Sequence, residues 1–391
     1  MIIKNCTIVE FEKRVQSSSV VCFGAGRYME DFSEGFPDVQ WNIAYFVDNN
    51  EKLWGQKKIL RGVSYDICSP SFLFDNITKN TVLLISCGYD IAPDIFKELD
   101  SDKRLKAIEC YLAHAINATQ TDYLTYNATL PPIGFRMNEQ QVIPKIIHYC
   151  WFGHGEIPEW NQKCMESWRK FCPDYEIIAW NEKNYDVTKN RYMYDAYKAK
   201  KWGFVPDYAR LDIIYEHGGI YLDVDVELVR PLDELLYNDA FCGFDKATQI
   251  AFGLGFGAVV QFPLLVKMMG KYENSLFIND DGSYNLEPSP AYQTEVIEKC
   301  GLVLNGGFQV VDGMAVYPAE FLSPFSPLTF NMWQTKNTHA IHWFDASWHT
   351  ELQHDTRRFW RELMDRARKN ERGEMRNGKN TLAQRVLILT I

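Results

Sequence analysis

Three carboxylates crowd one short stretch of the chain. In GGIYLDVDVEL, residues 218 to 228, apolar Ile220, Leu222, Val224, Val226 and Leu228 alternate with Tyr221, Asp223, Asp225 and Glu227. Side chains of a strand point to opposite faces with period two, so this pattern predicts a strand with a greasy face and an acidic one. Neighbouring carboxylates about 5–6 Å apart repel by roughly 1 kcal/mol in water, and by several-fold more where water is scarce. The repulsion is tolerable on a solvated face, with one carboxyl protonated, or around a divalent cation. The flanking sequence favours the cation. Gly218 and Gly219 precede the acids and Arg230-Pro231-Leu232 follows them, which puts Asp225 and Glu227 near a strand end. Ligand sites of open α/β sheets lie at the carboxyl ends of strands. Hard oxygen donors suit Mg²⁺ or Mn²⁺, commonly held by one or two carboxylates together with substrate phosphates.

The elements around this stretch read as α/β. IPKIIHYCWFG (143–153) is a β-rich apolar run, and PEWNQKCMESWRKFC (158–172) spaces Trp160, Cys164, Trp168 and Phe171 for an amphipathic helix. YEIIAW (175–180) reads as a strand, and DYARLDIIYEHGG (207–219) as a helix with a glycine C-terminal cap. Asp207 and Arg210, three residues apart, share one face of that helix.

Residues 1–112 form a separate block of alternating strands and helices. Strands are expected at 19–23, 43–50, 81–88 and 105–112, and the alternation predicts a small parallel, Rossmann-like sheet. Gly24 and Gly26 sit where a nucleotide-binding turn would lie, and Asp48 ends the next strand; Met29 occupies the place of a third glycine. The block reads as a nucleotide site or as a helper domain with a tight βα turn. Residues 113–142 are polar and contain Pro131-Pro132, so a linker is expected there, with the second domain running from 143 to 354.

The whole composition is that of a globular protein, with 46% apolar and 24% charged residues. A net charge of −10 excludes a general nucleic-acid binder. Ten cysteines without a C-x-x-C pair suit free thiols in a reducing compartment. No run approaches the roughly 18 apolar residues of a membrane span. The opening MIIKNCTIVEFEKR carries no signal-peptide pattern, so a cytoplasmic protein is expected. Residues 355–391 hold ten Lys or Arg against five Asp or Glu, a local +5 that leaves −15 for the rest. This basic, helix-prone tail reads either as a helix packed on its domain or as a peripheral contact with the inner face of an anionic membrane.

IPKIIHYCWFG, SWRKFCPDYEIIAWNE, VPDYARLDIIYEHGGIYLDVDVELVRPLDELL and HAIHWFDASW, in this order over roughly residues 143–350, resemble the DXD sugar-transferase family 32. That family includes yeast α-mannosyltransferases and bacterial capsule enzymes. The resemblance implies a GT-A fold, a nucleotide-sugar donor with UDP-sugar favoured over GDP-mannose, a divalent Mn²⁺ or Mg²⁺, and retention at the anomeric carbon. It further implies a saccharide or lipid-linked acceptor in capsule or O-antigen synthesis. Asp223 and Asp225 match the DXD pair. His342 matches a metal or diphosphate ligand, and Ser347-Trp348 a pair that closes on the diphosphate. Asp207 and Arg210 match the family's sugar-gripping element, with Pro206 in place of the expected serine. Trp151 takes the nucleobase-stacking place and Tyr221 the donor wall. The family's polar residue beyond the fourth strand is not found in QIAFGLGFGAVV, which after Gln249 offers only glycines and apolar groups. The rival readings are a D-x-D Mg²⁺ phosphotransferase, a non-catalytic binding scaffold, and an oxidoreductase built on the Gly24/Gly26 turn.

Overall fold

A computed structural model describes residues 1–153, 155–345 and 351–376, which fall into two compact units. The first comprises residues 1–123 and 328–330 together with the late helix. Its strands are β1 (Ile2–Ile3), β2 (Ser19–Phe23), β3 (Ile43–Val47), β4 (Lys57–Leu60), β5 (Val63–Cys68), β6 (Thr81–Ile85) and β7 (Glu109–Leu112). They form one sheet in the order β1-β7-β6-β2-β3-β5-β4, parallel throughout except for the β4–β5 hairpin. Helices α1 (Ile8–Val15), α2 (Tyr28–Glu34), α3 (Pro70–Asn76) and α4 (Ala92–Ser101) connect them. The Val20–Phe23 and Val82–Ile85 runs are fully buried, as continuous apolar strands in a parallel sheet must be. The parallel sheet expected from the alternation is present.

The Gly24 turn of this unit is closed upon itself. Gly24 has φ +111°, and its amide donates to the Val47 carbonyl at 2.7 Å. The Asp48 carboxylate accepts from the Ala25 amide at 2.8 Å with one oxygen and from the Asn50 amide at 2.8 Å with the other.

Residues Ala113–Tyr126 form helix α5, where a linker was expected. The polar side chains that suggested a linker are at home on the wet side of a helix, and Ala113, Ala115, Ile116 and Ala118 are buried.

The second unit holds β8 (Ile146–Cys150), β9 (Glu176–Trp180), β10 (Gly219–Tyr221), β11 (Val226–Leu228), β12 (Ala240–Lys246), β13 (Gln249–Ala251), β14 (Phe256–Ala258), β15 (Gln309–Val311), β16 (Met314–Tyr317) and β17 (Ala340–His342). The main sheet is mixed, ordered β15-β16-β12-β14-β10-β8-β9 with β13 on β12, while β11 and β17 make a separate antiparallel pair. Helices α6 (Glu159–Phe171), α7 (Arg191–Lys198), α8 (Pro206–His217), α9 (Pro263–Glu273) and α10 (Ser289–Glu298) cover it. Period two divides the core. Ala240, Cys242 and Phe244 of β12 join one cluster with residues of α7, α8 and α9, whereas Phe241 joins the other with Met165 and Trp168 of α6.

Two sequence expectations shift here. The strand foreseen over 220–228 breaks into β10 and β11 around a turn at 222–225, closed by the Val226 amide on the Asp223 carbonyl at 3.0 Å. The five alternating apolar residues are nonetheless all buried. On α6 the buried stripe is Asn161, Cys164, Met165 and Trp168, and Trp160 stands outside it at 45% exposure.

The tail begins as helix α11 (Glu351–Arg376). It buries Trp360, Leu363, Met364 and Ala367 in the core of the first unit, and Arg366 pairs with Asp100 at 2.5 Å. Of the two readings of the tail, its described part takes the packed one. No helix among the described residues is long and apolar enough to cross a membrane, and all ten cysteines are free thiols.

Candidate active site

The break between β10 and β11 turns the acids out of a single row and gives each its own partners. Gly219 makes the approach possible: at φ +94° a Cβ there would stand 2.8 Å from the Ile146 carbonyl oxygen. Beside it His148 uses both ring nitrogens, taking the Trp180 indole N–H on Nδ1 at 3.0 Å and donating from Nε2 to the Gly218 carbonyl at 3.0 Å. Burial holds its pKa down to about 4, so it is a neutral structural histidine.

Asp223 faces α8 and the main sheet. One oxygen accepts from the Tyr221 hydroxyl at 3.0 Å, and the other lies 3.5 Å from the Arg210 guanidinium. Arg210 in turn sits 3.3 Å from Asp207 and stacks over the Tyr221 ring at 4.8 Å. Asp207 and Arg210 are both buried. Burial pushes the Asp207 carboxyl up to about 7 although Arg210 draws it down. Pro206 explains its own presence: it fills the first position of α8, where a missing N–H is harmless, and its carbonyl accepts from Arg210 Nε at 3.1 Å.

Asp225 faces the other way, toward β17. Its Oδ1 lies 3.2 Å from His342 Nε2, and its Oδ2 accepts from the Asp345 amide at 2.9 Å. The register of β11 on β17 sets this pairing by placing His342 opposite Val226. Burial works against the charge on both members of the pair. The mutual attraction wins, lowering the Asp225 pKa and raising that of His342. Glu227 accepts the Trp343 indole N–H at 2.9 Å.

The donor atoms of Asp223, Asp225 and His342 all lie within 4.8 Å of one another. Two carboxylates and an imidazole within that span fit one divalent cation, and His342 Nδ1 is a buried nitrogen without a hydrogen-bond partner.

Three contributors were not legible in the sequence. Gly253, in the segment that showed only glycines and apolar groups, accepts the Asp223 amide on its carbonyl at 3.2 Å; a Cβ on it would fall 2.2 Å from Asp223 Oδ2. Its usefulness is the side chain it lacks. Gln293 of α10 takes the Phe252 amide at 2.9 Å and so anchors the same loop. Asp245 sits at the bulge where β12 shifts register against β13; its Oδ1 is buried without a partner, and burial pushes its carboxyl up to about 6.

Of the expected residues, the structure thus gathers Asp207, Arg210, Tyr221, Asp223, Asp225 and His342. Trp151 follows β8, the parallel neighbour of β10, and its indole N–H is taken by the Gly155 carbonyl at 2.7 Å. Ser347 and Trp348 lie outside the described residues.

A profile described as the glycosyltransferase sugar-binding region containing the DXD motif matches residues 158–242. That span takes in Asp207, Arg210, Tyr221, Asp223 and Asp225. The chain is 32% identical to mannosyl phosphorylinositol ceramide synthase CSH1 of Saccharomyces cerevisiae over 170 residues, 40% of this chain and 44% of that one. It is 35% identical to inositol phosphoceramide mannosyltransferase 3 of Schizosaccharomyces pombe over 108 residues, 27% of this chain and 30% of that one. The chain therefore spans less than half the length of these curated relatives. Among solved structures, PaToxG glycosyltransferase aligns with 46% of this chain and 74% of its own at 17% identity and a TM-score of 0.33.

Proposed function

We propose that the chain is a metal-dependent, retaining glycosyltransferase of the GT-A type that moves a hexose from a nucleotide-sugar donor onto a glycolipid or saccharide acceptor. The observation that carries this reading is the meeting of Asp223, Asp225 and His342 within 4.8 Å beside the buried Asp207–Arg210 pair. The names of the relatives favour a mannosyl donor and a phosphoinositol-lipid acceptor over the capsule or O-antigen acceptor expected from the resemblance.

In this reading the three ligands hold Mn²⁺ or Mg²⁺, which when bound offsets charge on the departing nucleoside diphosphate. Arg210, held by Asp207, Asp223 and the Pro206 carbonyl, is pre-set before substrate arrives, so little reorganisation accompanies binding. Asp207 grips a sugar hydroxyl. Transfer breaks the anomeric C–O bond to the diphosphate. The acceptor oxygen forms the new bond on the same face, and its proton passes to the departing phosphate oxygen. Trp151 stacks on the base. A cytoplasmic setting belongs to the same proposal.

A screen of UDP- and GDP-sugars with Mn²⁺, read by thermal shift and donor hydrolysis, tests it. We expect stabilisation by one donor that requires metal and disappears in Asp225→Ala. Stabilisation indifferent to metal overturns the role given to the three ligands.

A further inference from the structure

We propose that Trp160 and Trp343 form an acceptor subsite: an aromatic platform beside the acids that takes a cyclic polyol, a pyranose or cyclitol ring, of the acceptor. The proposal rests on the transferase reading above and deepens it. Trp160 has the spacing of a core residue yet stands 45% exposed, because α6 buries Asn161, Cys164, Met165 and Trp168 instead. Single exposed apolar residues are ordinary. This one is not single. Its ring meets that of Trp343 edge to face, 5.7 Å between centroids at 75°.

Trp343 is tied directly to the site. It follows His342, and its amide donates to the Asp225 carbonyl at 3.1 Å. Its indole N–H is fixed on Glu227, and Phe325 backs its ring at 5.4 Å. Glu227 takes no part in the cation cluster; through this bond it holds the platform in place.

The two acids separate two sides of the site. Asp223 is bonded on the β10 and α8 side, to Tyr221 and Arg210, the side given to the donor. Asp225 is bonded on the β17 side, where Trp343 and Trp160 stand. A second substrate approaching from there meets the apolar surface of the half-exposed Trp160 ring, braced edge to face against Trp343. Pyranose and cyclitol rings carry one face of C–H bonds that such a surface accepts, while their hydroxyl edge stays in water or turns to polar groups.

The test titrates the wild-type chain, Trp160→Ala and Trp160→Phe with methyl α-mannopyranoside and with myo-inositol, read by calorimetry. Trp160 is half in water, so its truncation leaves the core intact. Saturable binding of one probe is expected, weakened at least tenfold in Trp160→Ala and restored to within about threefold in Trp160→Phe. The metal-dependent thermal shift with nucleotide sugar is recorded alongside. A chain that takes no nucleotide sugar sinks the transferase reading. A chain that binds neither probe, or binds them equally well without the indole, overturns the platform.

Discussion

Both units end a strand in an acid beside a glycine-rich turn, and they put that acid to opposite uses. In the first, Asp48 spends both oxygens on its own backbone, on the amides of Ala25 and Asn50, and the Gly24 turn is packed so tightly that a Cβ there would stand 2.4 Å from Cys87 Sγ. The amides of Gly24 and Ala25 are thus both bonded within the unit. In the second, Asp223 is bonded on the α8 side and Asp225 on the β17 side, yet donor atoms of both and of His342 lie within 4.8 Å of one another. An acid whose hydrogen bonds close locally stabilises a turn, whereas two acids and an imidazole gathered by long-range register invite a cation.

The comparison breaks first at Asp225. Asp225→Ala should lower kcat/KM by about three orders of magnitude, since leaving-group stabilisation is among the larger catalytic terms; steady-state kinetics at saturating Mn²⁺ checks this. Next comes Gly253→Ala, whose new Cβ would collide with Asp223 Oδ2. A misplacement of about 1 Å costs on the order of 100-fold in rate, so turnover should fall by about that factor with little change in thermal stability.

Asp207 gives a pH signature. Its carboxyl is pushed up to about 7 by burial, so between the unfolded value near 4 and about 7 the folded chain keeps a proton that the unfolded chain has released. By linkage, stability falls as pH rises through this window. Denaturant melts at pH 5 and pH 8 should show a loss on the order of 2 kcal/mol in the wild type and a flatter profile in Asp207→Asn. The smallest effect is expected at the other turn. Asp48→Ala removes two hydrogen bonds and should destabilise the chain by roughly 1–2 kcal/mol, with kcat/KM for the donor unchanged. A loss of donor turnover there would erase the contrast between the two acids.

The sequence disclosed what is local. Alternation marked the buried side of 220–228, glycine and proline marked helix ends, and Asp207, Arg210, Asp223 and Asp225 stood at readable spacings. It did not disclose what depends on long-range register. The turn at 222–225 exists because β10 joins the main sheet while β11 pairs with β17, more than a hundred residues later. Gly253 matters through an absence of atoms next to a side chain 30 positions away. Trp160 lay on the predicted apolar stripe but is turned out, since Trp168 one helical flank away anchors α6 through its indole N–H on the Val226 carbonyl at 2.8 Å. Of the stretch foreseen as a linker at 113–142, residues 113–126 are helical, because a polar composition fits a half-solvated helix as well as a loop.

The most direct measurement is Mn²⁺ binding followed by the free-ion electron paramagnetic resonance signal, with nucleotide sugar present, for the wild type, Asp225→Asn and Asp48→Asn. One ion bound per chain, lost in Asp225→Asn and kept in Asp48→Asn, is the predicted result. Binding that survives in Asp225→Asn would contradict the account, because the clustered acids would then have some other reason to be there.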